Sequence, residues 1–147
     1  MNTRTLTSAN SIIMLSVAGL YASPQRIQGY SADDISGSDA ISPKQTSMGL
    51  DGRLSAGFVP QAVVQNITLQ ADSLSNDLFE NWAEAEKVVR EAYEASGLLI
   101  IPATQRKYTL TRGFLTSYPA MPSLRNTVQP QRYAITWERV SPSPWLS

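Results

Sequence analysis

The stretch "NITLQADSLSNDLFENWAEAEKVVREAYEAS", residues 66–96, changes its hydrophobic period part-way along. At its start, Ile67, Leu69 and Ala71 alternate with polar residues, as in a strand with one buried face. From residue 74 onward, apolar residues recur three and four positions apart, which predicts an amphipathic helix over about 74–96. The apolar stripe comprises Leu74, Leu78, Phe79, Trp82, Ala85, Val89, Ala92 and Tyr93. A strand therefore leads into a single long helix.

The ends of this helix carry recognisable signals. Ser73 or Ser75 can cap its first turn, and Asp77 favours the positive end of the helix dipole. Gly97 can end the helix in the left-handed conformation. Lys87 lies at pairing distance from Glu84 on the charged face.

Upstream of residue 66 the chain predicts a hairpin over 41–60. Its sequence "MGLDGRLSAGF" (48–58) holds Asp51-Gly52, a favoured pair for a two-residue turn in which both residues take positive φ. This hairpin has little hydrophobic mass of its own, so its edges need cover from neighbouring chains.

The N-terminal third allows two interpretations. "SIIMLSVAGLYAS" (11–23) follows Arg4 and has the outline of a cleavable leader, but its alternation favours a strand. Residues 1–10 are expected to form an arm, Pro24 a turn, 27–32 a short strand and 35–43 a loop.

Downstream of the helix, three further strands are predicted. Residues 98–102 form a short apolar run typical of a strand covered on both sides, and 106–118 and 131–140 alternate. A loop over 119–130 joins the last two. The tail 141–147 is not expected to join a ladder, because Pro142 and Pro144 lack an N–H group.

Taken together, these segments predict a single domain over 1–147 with seven or eight strands and one helix. Such a pattern is typical of a mainly β, antiparallel sandwich or barrel with a helix closing one side. A chain of 147 residues is long enough to bury a core of its own.

Composition argues against catalysis. The chain has no cysteine, no histidine and a formal net charge of zero, which removes thiolate and Ser-His-Asp chemistry and most zinc geometries. We therefore expect no enzyme, no metal site and no cofactor.

The remaining candidate residues are better explained as surface or core positions than as functional sites. The helix glutamates form a solvated face, and Asp33-Asp34 has no further oxygen ligands at a suitable spacing. Trp82, Tyr133 and Trp137 have the periods of core residues rather than of a carbohydrate platform. Trp145, beyond two prolines, is expected to pack on a neighbouring subunit.

The polar faces of the strands are neutral and rich in Thr, Ser and Gln. Ordinary solvent exposure explains this, as does a water-filled lumen shared among subunits. The candidates for the lumen are Thr68, Gln70, Asp72, Thr109, Thr111 and Thr136. Lys107, Arg112 and Arg132 are the basic residues that fit poorly in such a neutral lining.

A resemblance appears in the order of five segments that span most of the chain. They are "PQRIQGYSADD", "MGLDGRLSAGF", "ITLQADSLSNDLFENW", "KYTLTRGFLTSY" and "QPQRYAITWERVSP". In this order the chain resembles the tail tube proteins of contractile-tailed bacteriophages, including their tube initiators.

The resemblance implies hexameric rings that stack into a tube through which phage DNA passes. It also implies a tail sheath outside, a tape-measure protein in the lumen, and baseplate and terminator proteins at the ends. The chain would then be made in the host cytoplasm, reside in the virion tail and insert into no membrane. The hairpin would reach a neighbouring subunit or ring through Gly49, Leu50, Asp51, Gly52 and Arg53.

Three competing interpretations stay open at this stage. An initiator or terminator of the same fold would differ only in copy number and position. A secreted β-domain that binds carbohydrate or protein requires residues 1–22 to be a cleaved leader. A hydrolase would have to work with carboxylates alone.

Overall fold

A computed structural model describes residues 11–27, 36–38, 40–121, 124 and 127–145. Within them the chain forms nine strands, one α-helix (α1) and one short 3-10 turn, Pro102–Thr104. The strands are β1 Ile12–Val17, β2 Tyr21–Arg26, β3 Ser36–Ser38, β4 Lys44–Met48, β5 Leu54–Phe58, β6 Val63–Leu69, β7 Ala95–Ile101, β8 Arg106–Ser117 and β9 Gln131–Pro144. The helix α1 is Asn76–Val89.

Seven strands form one antiparallel sheet in the order β2-β1-β7-β8-β9-β6-β3. The strands β4 and β5 form a separate two-stranded sheet. Every paired neighbour is antiparallel. The predicted fold class, mainly antiparallel β with a single helix, is confirmed.

The core lies between one face of the large sheet and the helix. Strand alternation turns Ile13, Leu15 and Val17 of β1 inward, where they are fully buried. The helix contributes Phe79 and Trp82, both also fully buried, and the Phe79 ring stacks on Tyr133 with centroids 4.2 Å apart. Trp82, Tyr133 and Trp137 are thus core residues, as predicted.

A buried polar network fastens the helix to β9. The Tyr133 hydroxyl lies 2.9 Å from Asn76 Oδ1 and 2.8 Å from Gln131 Oε1. Asn76 Nδ2 donates to the backbone oxygen of Gln70 at 2.9 Å. Since buried polar atoms are costly when unpaired, this network fixes how the helix begins relative to the sheet.

Stability is expected to fall at alkaline pH because of Tyr133. Burial, followed by the carboxylates of Glu80 and Asp77, raises the pKa of Tyr133 to about 12 from 10.0. The folded state therefore favours the neutral phenol. The contribution of Tyr133 to the free energy of unfolding is complete below pH 10 and is lost as the pH rises from 10 to about 12. We expect a loss of up to about 1.4 kcal/mol per pH unit in that window, measured by urea unfolding.

The control for this pH dependence is Tyr133→Phe, which keeps the ring stacked on Phe79. It should lower the free energy of unfolding by about 1 kcal/mol at pH 7, through the lost hydroxyl contacts. It should also flatten the pH 10–12 loss relative to wild type. An equal alkaline loss in both proteins would contradict the assignment to Tyr133.

The helix is shorter than predicted. Ser75 occupies the predicted N-cap position and Asp77 lies in the first turn, but the predicted side-chain cap and the predicted end at Gly97 were wrong. Ser75 stands at the N-cap without a capping side-chain hydrogen bond, and Ser73 Oγ accepts from the Ser75 N–H at 3.2 Å. The helix ends at Arg90, which itself takes the left-handed conformation (φ 61°), and Gly97 lies in β7. Leu74, one of the predicted stripe residues, is exposed.

The last strand is longer than predicted. β9 runs to Pro144 and pairs with β8 as far as Arg106. The prediction that Pro142 and Pro144 exclude the tail from a ladder was wrong for residues 141–144. On its other side, β9 pairs with β6 only as far as Trp137, so this edge of β9 is unpaired beyond that residue. The prolines can turn their nitrogens, which lack an N–H group, toward this unpaired edge.

The N-terminal third departs from expectation in two places. Residues 11–23 do contain a strand, β1, but Pro24 lies inside β2 rather than in a turn. The expected loop 35–43 contains β3. The expected arm 1–10, most of the expected strand 27–32 and the pair Asp33-Asp34 lie outside the described residues.

The strand predicted over 98–102 differs from expectation as well. β7 begins at Ala95, and its run 98–101 is only half-buried.

Candidate assembly surfaces

The hairpin β4–β5 stands apart from the body of the protomer. Every residue of both strands is exposed. The turn is closed by a hydrogen bond from the Gly52 N–H to Gly49 O at 3.0 Å, and the Arg53 N–H donates to Asp51 Oδ1 at 3.1 Å. Gly52 takes positive φ (84°) and Asp51 does not, so the predicted two-residue turn with two positive φ angles was wrong.

The hairpin is amphipathic, although nothing in the described part of the chain covers it. Met48 pairs with Leu54 and Lys44 with Phe58, so the apolar side chains of both strands share one face. Met48, Leu54 and Phe58 are 65%, 63% and 73% exposed, and Leu50 projects at the tip. We call this set (Met48, Leu54, Ala56 and Phe58) the hairpin's apolar face. Exposed apolar patches of this kind mark interaction sites.

The large sheet carries hydroxyl side chains on the face turned away from the helix, which we call the outer face. Ser16 and Ser96 Oγ atoms lie 2.8 Å apart, and Thr116 and Thr136 Oγ1 atoms 3.0 Å apart, each pair across neighbouring strands. Thr109 and Thr111 are exposed and share a cavity wall with Ser16 and Ser96. Three of the predicted lumen residues, Thr109, Thr111 and Thr136, are therefore brought together on one face.

The other predicted lumen residues are placed differently. Thr68 is only 8% exposed and its Oγ1 has no hydrogen-bond partner, so its side chain does not reach a solvent-filled channel. Gln70 and Asp72 are exposed but lie beyond the end of β6, between the sheet and the helix. We therefore omit Thr68 from the lumen surface.

The basic residues that fit a lumen poorly also lie on the strands of this face. Arg112 is held between two carboxylates, with Nε 3.9 Å from Glu94 Oε1 and Nη1 3.9 Å from Glu138 Oε2. Its positive charge is thereby balanced locally. Lys107 is half-buried at the start of β8, and Arg132 is exposed near the start of β9.

Trp145 is placed against its own chain. Its backbone N–H donates to the backbone oxygen of Gln105 at 2.9 Å, and its side chain is half-buried. The part of Trp145 left accessible stays a candidate subunit contact.

Metal and membrane sites find no support in the described ranges. Among those residues, no group of three or more Asp or Glu side chains could hold a metal ion. No helix in that part of the chain is long and apolar enough to span a bilayer.

Sequence reasoning missed two features of these surfaces. Ser16 and Ser96 are 80 residues apart, and only the pairing of β1 with β7 brings them together. An apolar cleft lined by residues of β3, β6, β7, β8 and β9 also depends on the pairing of these strands. Neither has a local sequence signal.

Comparison with known proteins gives the family. The family described as tail fiber protein gp32 matches residues 4–141. The chain belongs to this family. Among curated proteins, none gives a significant match.

Several solved structures share the fold of this member of the tail fiber protein gp32 family. A chain of the extracellular contractile injection system PVC, in its extended sheath–tube complex, aligns with a TM-score of 0.60 at 16% identity, over 95% of this chain and 92% of that one. A chain of the anti-feeding prophage baseplate, six-fold symmetrised, aligns with a TM-score of 0.58 at 9% identity, over 98% of each.

A third structure, the tube terminating cap of the anti-feeding prophage, aligns with a TM-score of 0.57 at 14% identity, over 98% of this chain and 94% of that one. The fold is therefore that of contractile-system tube, cap and baseplate proteins, although the family description names a fibre. Family and fold together support a structural tail component.

Proposed function

We propose that this chain is a structural virion protein that assembles into stacked hexameric rings and forms the inner tube of a contractile tail. The observation that carries the proposal is the β4–β5 hairpin, which exposes an apolar face to water and, within the described residues, pairs with no strand of the large sheet. An isolated two-stranded hairpin is at best marginally stable in water, so a second copy of the chain is its natural cover.

The outer face supplies the channel in this proposal. Thr109, Thr111 and Thr136 would line it, with Gln70 and Asp72 at its margin, and DNA would pass over neutral hydroxyls. Arg112, balanced by Glu94 and Glu138, would hold phosphates less strongly than a free cation. Loop residues Gly49–Arg53 and Trp145 would contribute contacts between subunits or rings.

Partners follow from the same proposal. The sheath would surround the tube, a tape-measure protein and DNA would occupy the lumen in turn, and baseplate and terminator proteins would meet its ends. The protein would act by assembly rather than catalysis, in the virion, after synthesis in the host cytoplasm.

A second candidate role is a tube initiator or terminator with the same fold. The alignments with a baseplate chain and with a tube terminating cap favour keeping it. Such a subunit would form a ring but would not stack on copies of itself.

Negative-stain electron microscopy of the purified, untagged protein after concentration tests the proposal. We expect hollow rings that stack into open-ended tubes. Rings that never stack would favour the initiator or terminator role. Separate compact particles at all concentrations, together with an unchanged sedimentation coefficient, would contradict self-assembly.

A further inference from the structure

An apolar cleft opens on the face of the large sheet that also carries the core. No residue of α1 is among its lining residues. Its volume is about 310 Å³, and its walls come from β3, β6, β7, β8 and β9. Val63, Leu99, Ile101, Tyr108 and Val140 line it and are all half-buried, while Trp137 forms the buried floor. Apart from Trp137, which belongs to the core, these side chains are only partly buried.

The protomer's own hairpin does not fill this cleft. No residue of β4, β5 or the turn between them is among the lining residues. Both hairpin strands are exposed along their whole length. Within the described part of the chain there are thus two unpartnered apolar surfaces, one convex and one concave.

The two surfaces match in chemistry and in charge. Met48 and Leu54 lie opposite each other next to the turn and form a compact apolar knob. The turn carries Asp51, and the exposed Arg106 pairs with Ile101 at the edge of the cleft. A knob seated on Ile101 would bring a carboxylate toward a guanidinium, which fixes orientation as well as adding attraction.

We propose that the hairpin of one protomer inserts Met48 and Leu54 into the cleft of a neighbouring protomer. The inference rests on the proposed ring assembly and names the site where the hairpin binds. Because hairpin and cleft are different surfaces, each copy can give its hairpin to one neighbour and receive a hairpin from another, which is a heterologous contact. Repetition closes a ring or extends a stack.

Cysteine trapping tests this contact cleanly, since the chain has no cysteine of its own. Leu54→Cys and Val140→Cys are prepared as separate single variants, mixed, assembled and oxidised mildly. In an equal, randomly mixed assembly, we expect an intermolecular disulfide in up to about half of the protein, because a Leu54→Cys hairpin meets a Val140→Cys cleft in about half of its contacts. The matched control is Ser55→Cys mixed with Val140→Cys, since Ser55 neighbours Leu54 on the opposite hairpin face, and we expect at least tenfold less cross-link.

Two outcomes would overturn the inference. One is equal cross-linking by the Leu54→Cys and Ser55→Cys variants. The other is efficient intramolecular disulfide formation in a dilute, monomeric chain that carries both Leu54→Cys and Val140→Cys, since the hairpin would then fold back onto its own cleft.

Imaging the same samples separates this inference from the proposed function. If wild type and single variants form rings but Leu54→Cys and Val140→Cys do not cross-link, the docking site is wrong and ring assembly stands. If wild type forms no rings at any concentration, the proposed function fails, and the inference fails with it.

Discussion

Replacing Leu54 and Phe58 together by aspartate is expected to abolish ring and tube formation and to leave the protomer folded. Both side chains are more than 60% exposed, and they share the hairpin's apolar face. Their loss removes no core contact, so the free energy of unfolding should change by less than about 0.5 kcal/mol. Burying two carboxylates against an apolar neighbour should cost several kcal/mol per contact, which raises the assembly concentration by more than about 100-fold.

The matched control for this double variant is Gln45→Asp with Ser55→Asp. It adds the same charge to the opposite face of the same hairpin. We expect it to assemble at a concentration within about tenfold of wild type in sedimentation experiments. Normal assembly of the Leu54→Asp, Phe58→Asp variant would show that the apolar face makes no contact between copies. Loss of its circular dichroism spectrum would show that the face stabilises the protomer instead.

Gly113→Val is expected to cause the largest loss of protomer stability. A Cβ atom at residue 113 would overlap the six-membered part of the Trp137 indole, with Cδ2 only 2.8 Å away. The indole cannot move freely, because it is fully buried and its Nε1 donates to Gln65 Oε1 at 2.9 Å. Overpacking at such a site should lower the free energy of unfolding by about 3 kcal/mol, a large part of a typical total.

Urea unfolding measures this loss, and Gly57→Val provides the control. Gly57 is also a strand glycine, but nothing lies within 4 Å of a Cβ built there. The Gly57→Val protomer should match wild type within about 0.5 kcal/mol. Equal midpoints for Gly113→Val and Gly57→Val would contradict the tight packing of β8 against Trp137.

Much of the fold follows from local periodicity. The change from alternation at Ile67 and Leu69 to helical spacing at Leu78 and Trp82 correctly predicts β6 and the helix, because each element buries one face. The boundaries do not follow in the same way. Arg90 adopts the left-handed conformation that Gly97 was expected to provide. Gly97 instead lies in β7, where a Cβ would lie 2.9 Å from Met14 O.

Pairing over long sequence distances explains the remaining differences. Pro142 and Pro144 join a strand only because β6 leaves one edge of β9 open, and a sequence does not show where a neighbouring strand ends. Thr68 has the polar character of a lumen residue, yet the folded sheet buries it. The hairpin's apolar face could be predicted from the alternation of Met48, Leu54 and Phe58. The cleft proposed to receive it could not, because its lining residues come from strands far apart in the sequence.

A cryo-EM reconstruction of the wild-type assembly tests the central claim most directly. The account predicts a hollow six-fold ring in which Met48 and Leu54 are covered by a neighbouring copy and Thr109, Thr111 and Thr136 face the channel. A particle without a channel, or a ring in which the hairpin's apolar face stays exposed to solvent, would contradict it.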